Sequence, residues 1–472
     1  MKKTQSQEQR KLMMVNEPIP KVIFKMAVPT IVAFLINSIY SLADTYFVSG
    51  LGTNATAAVS VNASLDQLIM MTGSLFAVGA NSYIARLLGQ GDEKRASQVL
   101  STAFSLAAGL SLLLLLFGTV FMEQMVVLLG ATPTCMEYSI DYATYVLFAA
   151  PFMATSFVMN QCLRSEGSAI FSMFGMGFGG VLNCLLDPIF IQGLPALGIP
   201  AMGVAGASLA TMISKIVSFS ILIFPYVTRR SVLHLSVKNI RIQWGIIKEI
   251  VTVGSSSMFR SGLAVVSAVV LNDLAGNISD SVLAGVGVAT KVMMFPFSII
   301  LGFGTGFQPV AGFNWGAKRY DRVQESYRYS AKVAIAGAVV MAALLVVFAN
   351  PVSGIFAGND GDMLELGALC IRLQALTLPV HAWVAVVNMF CAGLGNAGGA
   401  VLLSTSRQGS CFLPIVYPMA AIWGATGVVA VQAVADVLSL AMAIPIILYM
   451  LKKVKTAAEI HKNNPEVTET AL

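Results

Sequence analysis

The chain has 472 residues, 56% of them hydrophobic and 11% charged, with a formal net charge of +6 and a mean hydropathy of +0.78. Soluble domains carry about 25% charged residues, so this composition excludes an ordinary water-soluble enzyme or nucleic-acid-binding protein. Mostly apolar runs of roughly 20 residues, the length that crosses a bilayer core, recur from one end to the other. An all-α polytopic membrane protein is the expectation, with the lipid bilayer as its first partner.

In chain order, "MKKTQSQEQRKLMM" is polar and basic. The apolar run after it is too long for a removable signal peptide, lacks the small-residue cleavage site, and should stay as the first span. Reading apolar runs between charge and turn signals predicts twelve spans, at 22–49, 56–85, 97–120, 137–160, 167–191, 202–227, 245–275, 281–311, 328–349, 364–391, 398–421 and 424–450. The expected division is a tail over 1–21, an N-terminal half over 22–227, a linker over 228–244, a C-terminal half over 245–450 and a second tail over 451–472.

Lys and Arg gather on cytoplasmic segments of membrane proteins. Here they occupy the N-terminal tail (Lys2, Lys3, Arg10, Lys11, Lys21) and alternate connections (Arg86, Lys94, Arg95; Arg229, Arg230, Lys238, Arg241, Lys248; Lys318, Arg319, Arg322, Arg328). The C-terminal tail adds Lys452, Lys453 and Lys455. The other connections are uncharged or acidic, as at Glu123, Glu137, Asp273, Asp280, Asp360 and Asp362. Both termini should therefore lie in the cytoplasm.

The basic segment at mid-chain invites a search for duplication. A shift of 227 pairs Gly79 with Gly306, Gly89 with Gly316 and Arg95 with Arg322. A shift of 228 pairs Pro151 with Pro379, Asn160 with Asn388 and Gly167 with Gly395, and a shift of 221 lays 203–218 on 424–439. Three pairings in chain order at nearly one shift predict two six-helix halves in the same orientation. Parallel repeats with a substrate site between them are a recurrent transporter architecture, which favours a carrier over a membrane enzyme.

Four acids fall inside spans: Asp44, Asp66, Asp187 and Asp436. An ionised Asp at the bilayer centre costs about 2.5 to 3.5 kcal/mol on insertion scales, so each should face a cavity or a partner, or serve as hydrogen-bond glue. Asp44 and Asp187 are expected at one depth, near the outer ends of spans 1 and 5. The repeat maps them onto Leu271 and Ile415, so the scaffold does without them in its second half. Asn37, Tyr40 and Asp44 share a helix face, as do Asn183 and Asp187, and together they can line a small polar pocket that takes up a proton or holds Na+. Pro188 frees a carbonyl one turn earlier, near Cys184, as a further ligand. Asp66 is a candidate for the same cavity. Asp436 occupies the repeat position of Lys215, where an ion pair between the halves and separate partners are both open. Arg260, Lys291, Arg372 and His381 read as lone groups in packing or snorkelling roles. Gly175-x-x-x-Gly179 reads as close helix packing.

There is no G-x-x-x-x-G-K-[ST] phosphate loop and no H-E-x-x-H. No cofactor is expected beyond a coupling ion, and the chain reads as a non-enzyme. The six scattered cysteines read as small buried hydrophobes.

The segments "LADTYFV", "GANSYIARLLGQGDEKRA", "LRSEGS", "NCLLDPIFI", "GVAGASLAT", "GFNWGAKRYDRV" and "STSRQG" resemble the multidrug and toxic compound extrusion (MATE) family over nearly the whole chain, most closely its bacterial DinF-like and MepA-like branch. The resemblance implies a V-shaped pair of bundles in the bacterial cytoplasmic membrane, working as a monomer and exporting organic cations or amphipathic drugs in exchange for H+ or Na+. Matched by motif, it places the coupling site on Asp44, Asn183, Asp187, Tyr40, Asn160 and Thr211. The other bacterial branch uses acids of spans 7 and 10. Here only Asp273 and Glu365 are available, so that site does not carry over. A flippase for a lipid-linked or amphipathic metabolite on the same scaffold is the alternative reading.

Overall fold

Twelve membrane-length segments of chain account for nearly everything described in the computed structural model, which covers residues 12–194, 198–357 and 360–463. The helices are α1 (Ile19–Ser49), α2 (Thr53–Gln90), α3 (Glu93–Val120), α4 (Met136–Ser165), α5 (Ala169–Gln192) and α6 (Gly203–Val227). A linker leads to α7 (Trp244–Ile278), α8 (Asp280–Gly316), α9 (Tyr320–Ala357), α10 (Gly361–Gly393), α11 (Ala397–Thr405) and α12 (Leu413–Asn463). A short helix, Met122–Leu128, follows α3 and is not signalled by the apolar pattern. The only bridge of β type among the described residues joins Leu194 and Ile199. Lys2, Lys3, Arg10 and Lys11, part of the connection "GLPALGIP" and residues 464–472 of the C-terminal tail lie outside the described residues.

Most helices outrun the predicted spans, chiefly at the ends that carry basic residues, while α5 and α6 begin two residues and one residue inside theirs. An apolar-run reading stops at the first charge, whereas the backbone keeps its hydrogen bonds until a cap satisfies the last turn. Thus α2 runs to Gln90 and stops where Gly91 turns left-handed at φ 85°. The next helix starts where the Asp92 side chain accepts from the Arg95 amide at 2.9 Å. The expected spans 398–421 and 424–450 are one apolar run of 67 residues, Ala397–Asn463. It contains a π-turn at Ser406–Ser410 and reverses at Gly424, whose φ of 53° and ψ of −129° suit glycine. Ten further helices among the described residues are long and apolar enough to cross a membrane.

Helices α1–α6 pack into one bundle and α7–α12 into another. They meet through α1 against α8 and α2 against α7 and α8. The duplicated glycines lie at these crossings. A Cβ on Gly79 would come within 1.9 Å of the Ile250 carbonyl oxygen, and one on its repeat partner Gly306 within 2.6 Å of the Ala27 Cα. Near the helix ends the contact is reciprocal. Gly89 presses on the Phe313 carbonyl and Gly316 on that of Arg86, and Arg86 and Phe313 are themselves 227 residues apart. The pairing detected in the sequence is therefore a pseudo-two-fold contact between backbones.

All of this lies at the end of the molecule where the basic connections gather, here called the basic end. Arg86 pairs with Glu249 across the seam at 2.6 Å. Arg322 donates to the Met14 and Glu17 carbonyls at 3.2 and 2.8 Å. One large apolar core, from Ile23 and Ile84 to Phe307 and Phe390, joins both bundles in this half. In the far half the cores are separate, one around Leu65, Val146 and Ile191 and the other around Val286, Ile371 and Val428. Shared packing at one end and divided packing at the other make a V that opens at the far end.

Candidate functional site

The glycine run of α5 brings three helices together. Gly177 and Gly180 leave room for Ile36 of α1, while Gly175 and Gly179 leave room for Leu222 and Ser218 of α6. Ser218 donates to the Gly175 carbonyl at 2.8 Å. The close-packing reading of this run holds on both of its faces.

One consequence is a buried polar cluster. Asp44 and Asp187 each stand five residues before the ends of their helices, at Ser49 and Gln192, and both helices run away from the basic end. Asp187 is 0% exposed and Asp44 9%. Asn183 donates to Asp187 Oδ1 at 3.2 Å and to Thr211 Oγ1 at 3.1 Å. Asp44 acts electrostatically on Asp187. Asp187 Oδ2, Asn183 Oδ1 and Asp44 Oδ1 are buried with no hydrogen-bond partner among the described residues. A buried carboxylate without a cation is costly, so these oxygens suit a proton or a small hard cation that prefers oxygen ligands. No ion pair within 4.0 Å reaches either acid among the described residues.

Beside the cluster is a cavity of about 330 Å³, bordered by Asn37, Tyr40, Asp66, Asn160 and Lys215. The Lys215 ammonium lies 4.9 Å from the Tyr40 ring centroid, in cation–π geometry. It acts electrostatically on both Asp66 and Asp44. Asp66 Oδ1 is buried without a hydrogen bond. The residues expected in one pocket thus divide in two: Asp187, Asn183 and Thr211, with Asp44 close by, and a cavity wall holding Tyr40, Asn37, Asp66 and Asn160.

Asn160 is held by hydrogen bonds of its own. Its Nδ2 donates to the Ser172 carbonyl at 3.0 Å and its Oδ1 accepts from Arg164. Asn388 donates to the Ala400 carbonyl at 3.0 Å, and both members of this pair are displaced by 228 residues. The same tie is thus made in both halves, and Asn160 also borders the cavity. Lys215 and Asp436 do not pair with one another. Lys215 faces Tyr40 and Asp66, while Asp436 accepts from Arg407 Nε at 2.6 Å.

Two arrangements escape the sequence reading. Arg164 is 1% exposed, with Ser172, Gln161 and Asn160 accepting from it. Its signal is an Arg four residues after the Asn that closes the fourth predicted span, a position that the observed helix still includes. Arg260 and His381 are not isolated, for they share a cavity in the second bundle with Arg407 and Asp436. Their helices are remote in sequence, so no spacing rule joins them.

Comparison with known proteins agrees with the duplicated helical fold. The family model MatE matches twice, at residues 29–189 and 257–418, so the two matches begin 228 residues apart. The chain is 26% identical over 440 residues to the multidrug export protein MepA of Staphylococcus aureus (strain MSSA476), covering 93% of this chain and 95% of that one. It is 28% identical over 439 residues to MepA of Staphylococcus saprophyticus, covering 92% and 94%. Among solved structures, a MATE in complex with MaL6 superposes with a TM-score of 0.88 at 23% identity, over 94% of this chain and 99% of that one. An outward-facing multidrug resistance MATE family transporter of the MOP superfamily gives 0.86 at 24%, over 94% and 98%. With both halves matched by one family model, the chain belongs to the MatE family of multi-pass membrane transporters.

Proposed function

We propose that this chain is a secondary active multidrug exporter, which moves small organic cations and amphipathic drugs outward in exchange for H+ or Na+ entering the cell. The basic end then faces the cytoplasm, both termini with it, and the membrane is the bacterial cytoplasmic membrane. Export is supported by the MepA relatives, multidrug export proteins that this chain matches over almost their whole length.

The observation that carries the coupling reading is the trio of unpartnered buried oxygens on Asp44, Asp187 and Asn183, found in one bundle only. In exchange, an ion entering from the far end binds between Asp44 and Asp187 and offsets part of their negative charge. That changes the packing of α1 against α5, next to the cavity that Tyr40, Asp66 and Lys215 line. Drug leaves that cavity as the ion binds, and the bundles then rock about the glycine seam to deliver the ion inward. Thr211 positions Asn183 through its hydroxyl.

The test is ethidium efflux from energised cells expressing wild type, Asp44→Asn or Asp187→Asn at equal protein levels. Efflux in both variants should fall to the vector background, and wild-type efflux in both would remove these acids from the mechanism. Proteoliposomes with a pH gradient or a Na+ gradient imposed separately then identify the ion, because only the coupled gradient should drive uptake.

A further inference from the structure

The C-terminal bundle contains a second cavity, of about 260 Å³, and Gln67 of α2 borders both this cavity and the one beside Asp66. The two cavities are neighbours with opposite charge balance. The first faces Asp66 and Lys215, with Asp44 and Asp187 close by. The second is walled by Arg260 of α7, Phe297 of α8, His381 of α10, Arg407 and Gln408 of the π-turn, and Asp436 of α12.

Counting charges on the second wall decides its character. Guanidinium groups stay protonated in proteins, so Arg260 and Arg407 bring two positive charges. Asp436 brings one negative charge and is already engaged, accepting from Arg407 Nε at 2.6 Å and from the Thr377 hydroxyl at 3.3 Å. Arg260 has no carboxylate within ion-pair distance among the described residues, and its Nη2 meets only the Ser257 hydroxyl, at 3.0 Å. Both guanidiniums lie within electrostatic reach of His381. The cavity therefore carries a net positive charge from its arginines and acid.

Packing explains a buried Arg when its donors are satisfied, as Arg164 shows with Ser172, Gln161 and Asn160 around it. Arg407 is different, because its Nη2 is buried without a partner while its residue borders open volume. Leaving a buried charged donor unpaired is costly unless a ligand completes it. The wall beside it is aromatic. The Arg407 guanidinium lies 4.2 Å from the Phe297 ring centroid, and Phe297 meets His381 edge-on at 5.1 Å. A guanidinium fork beside an aromatic face matches a flat molecule bearing a planar anionic group, since two N–H groups can engage one carboxylate.

We infer that the C-terminal cavity is a binding site for a small aromatic anion, with the carboxylate or sulfonate held by Arg407 Nη2 and Arg260 and the ring against Phe297. The chain then has two sites of opposite charge preference flanking Gln67. This assignment is independent of the coupling role proposed for Asp44 and Asp187, because it is read as binding to purified protein without any gradient.

The experiment is equilibrium dialysis of the full-length protein in lipid nanodiscs against three probes that share one ring system: 2-naphthoate, 2-naphthamide and 2-naphthylmethylammonium. Empty nanodiscs correct for partition into lipid. The expected result is that naphthoate binds at least tenfold tighter than either other probe. Arg260→Gln should weaken naphthoate at least tenfold, with Arg260→Lys recovering part of the loss and amide binding unchanged in both. Naphthoate binding no tighter than the ammonium probe overturns the proposal without any variant. Undiminished naphthoate binding to a folded Arg260→Gln protein overturns it as well.

Discussion

Leu271 and Ile415 belong to one apolar cluster of the C-terminal bundle, together with Phe412 and Val416. These two residues hold the repeat positions of Asp44 and Asp187. Where one half of the molecule packs hydrocarbon, the other packs two carboxylates with unpartnered oxygens. The fold does not need acids at this level, and burial of unpaired charge works against stability.

The double variant Asp44→Leu/Asp187→Ile should therefore fold, with a melting temperature in detergent at or above that of the wild type. Replacing buried ionic groups with well-packed apolar ones is neutral or stabilising by about 1 to 4 kcal/mol. Ethidium efflux should be abolished in the same protein. A melting temperature several degrees lower would mean that the acids hold α1 on α5 and that their absence from the second half misleads.

The bundle seam makes a sharper stability prediction. Gly79→Ala puts a Cβ 1.9 Å from the backbone oxygen of Ile250, and backbone on both sides leaves nothing flexible to give way. Overpacking of this kind costs about 1 to 3 kcal/mol or more. Gly109, on α3, faces open space, so Gly109→Ala should be neutral or stabilising by about 0.5 to 1 kcal/mol through helix propensity. Thermal melts of the two proteins side by side decide it, and equal melting temperatures would contradict the close approach.

Asn160 and Asn388 make the same carbonyl tie in the two halves, so Asn160→Ala and Asn388→Ala should destabilise to a similar degree. The expected loss is about 1 to 3 kcal/mol each, that of a buried partner left unsatisfied. Whatever transport survives should keep the wild-type dependence on ion concentration. Asn183→Ala should instead shift that dependence, because Asn183 joins Asp187 to Thr211. Half-saturation of drug transport by the driving ion, measured in proteoliposomes, separates the two classes of asparagine.

The linker between bundles is strapped to the first of them. Glu166 Oε2 accepts from the Ser231 hydroxyl at 2.6 Å and the Val232 amide at 2.9 Å, and Ser97 and Thr102 of α3 accept from the His234 and Arg241 amides at 3.0 Å each. Glu166→Ala should release this strap and speed tryptic cleavage at the exposed Arg229 and Arg230 several-fold. An unchanged cleavage rate would show that the α3 contacts suffice to hold the linker.

Helix existence, count and order were legible because a bilayer demands long apolar runs with internally satisfied backbones, and that demand is written locally. The last pair, expected at 398–421 and 424–450, is divided at Gly424, whose non-helical backbone interrupts the helix without interrupting hydropathy. The duplication was legible because Gly79, Gly89 and their counterparts sit where backbones touch, a place that tolerates no side chain. Helix ends were misjudged because charge marks the edge of the apolar layer and a cap marks the end of the helix. Asn183 and Asp187 were recognisable as partners from their spacing of four, and their bond at 3.2 Å follows from helix geometry.

By itself, then, the sequence determined a twelve-span duplicated membrane protein with a surplus of buried acids in its first half. Periodicity, hydropathy and repetition are properties of neighbouring residues and of one constant shift. Only the tertiary structure decided which polar groups meet. It tied Asn160 to Arg164 and Ser172, turned Lys215 toward Tyr40, and gathered Arg260, His381, Arg407 and Asp436 around one cavity. The Lys215–Tyr40 contact and the four residues around that cavity come from helices far apart in the chain, and the register between helices follows from how closely glycine lets two backbones approach.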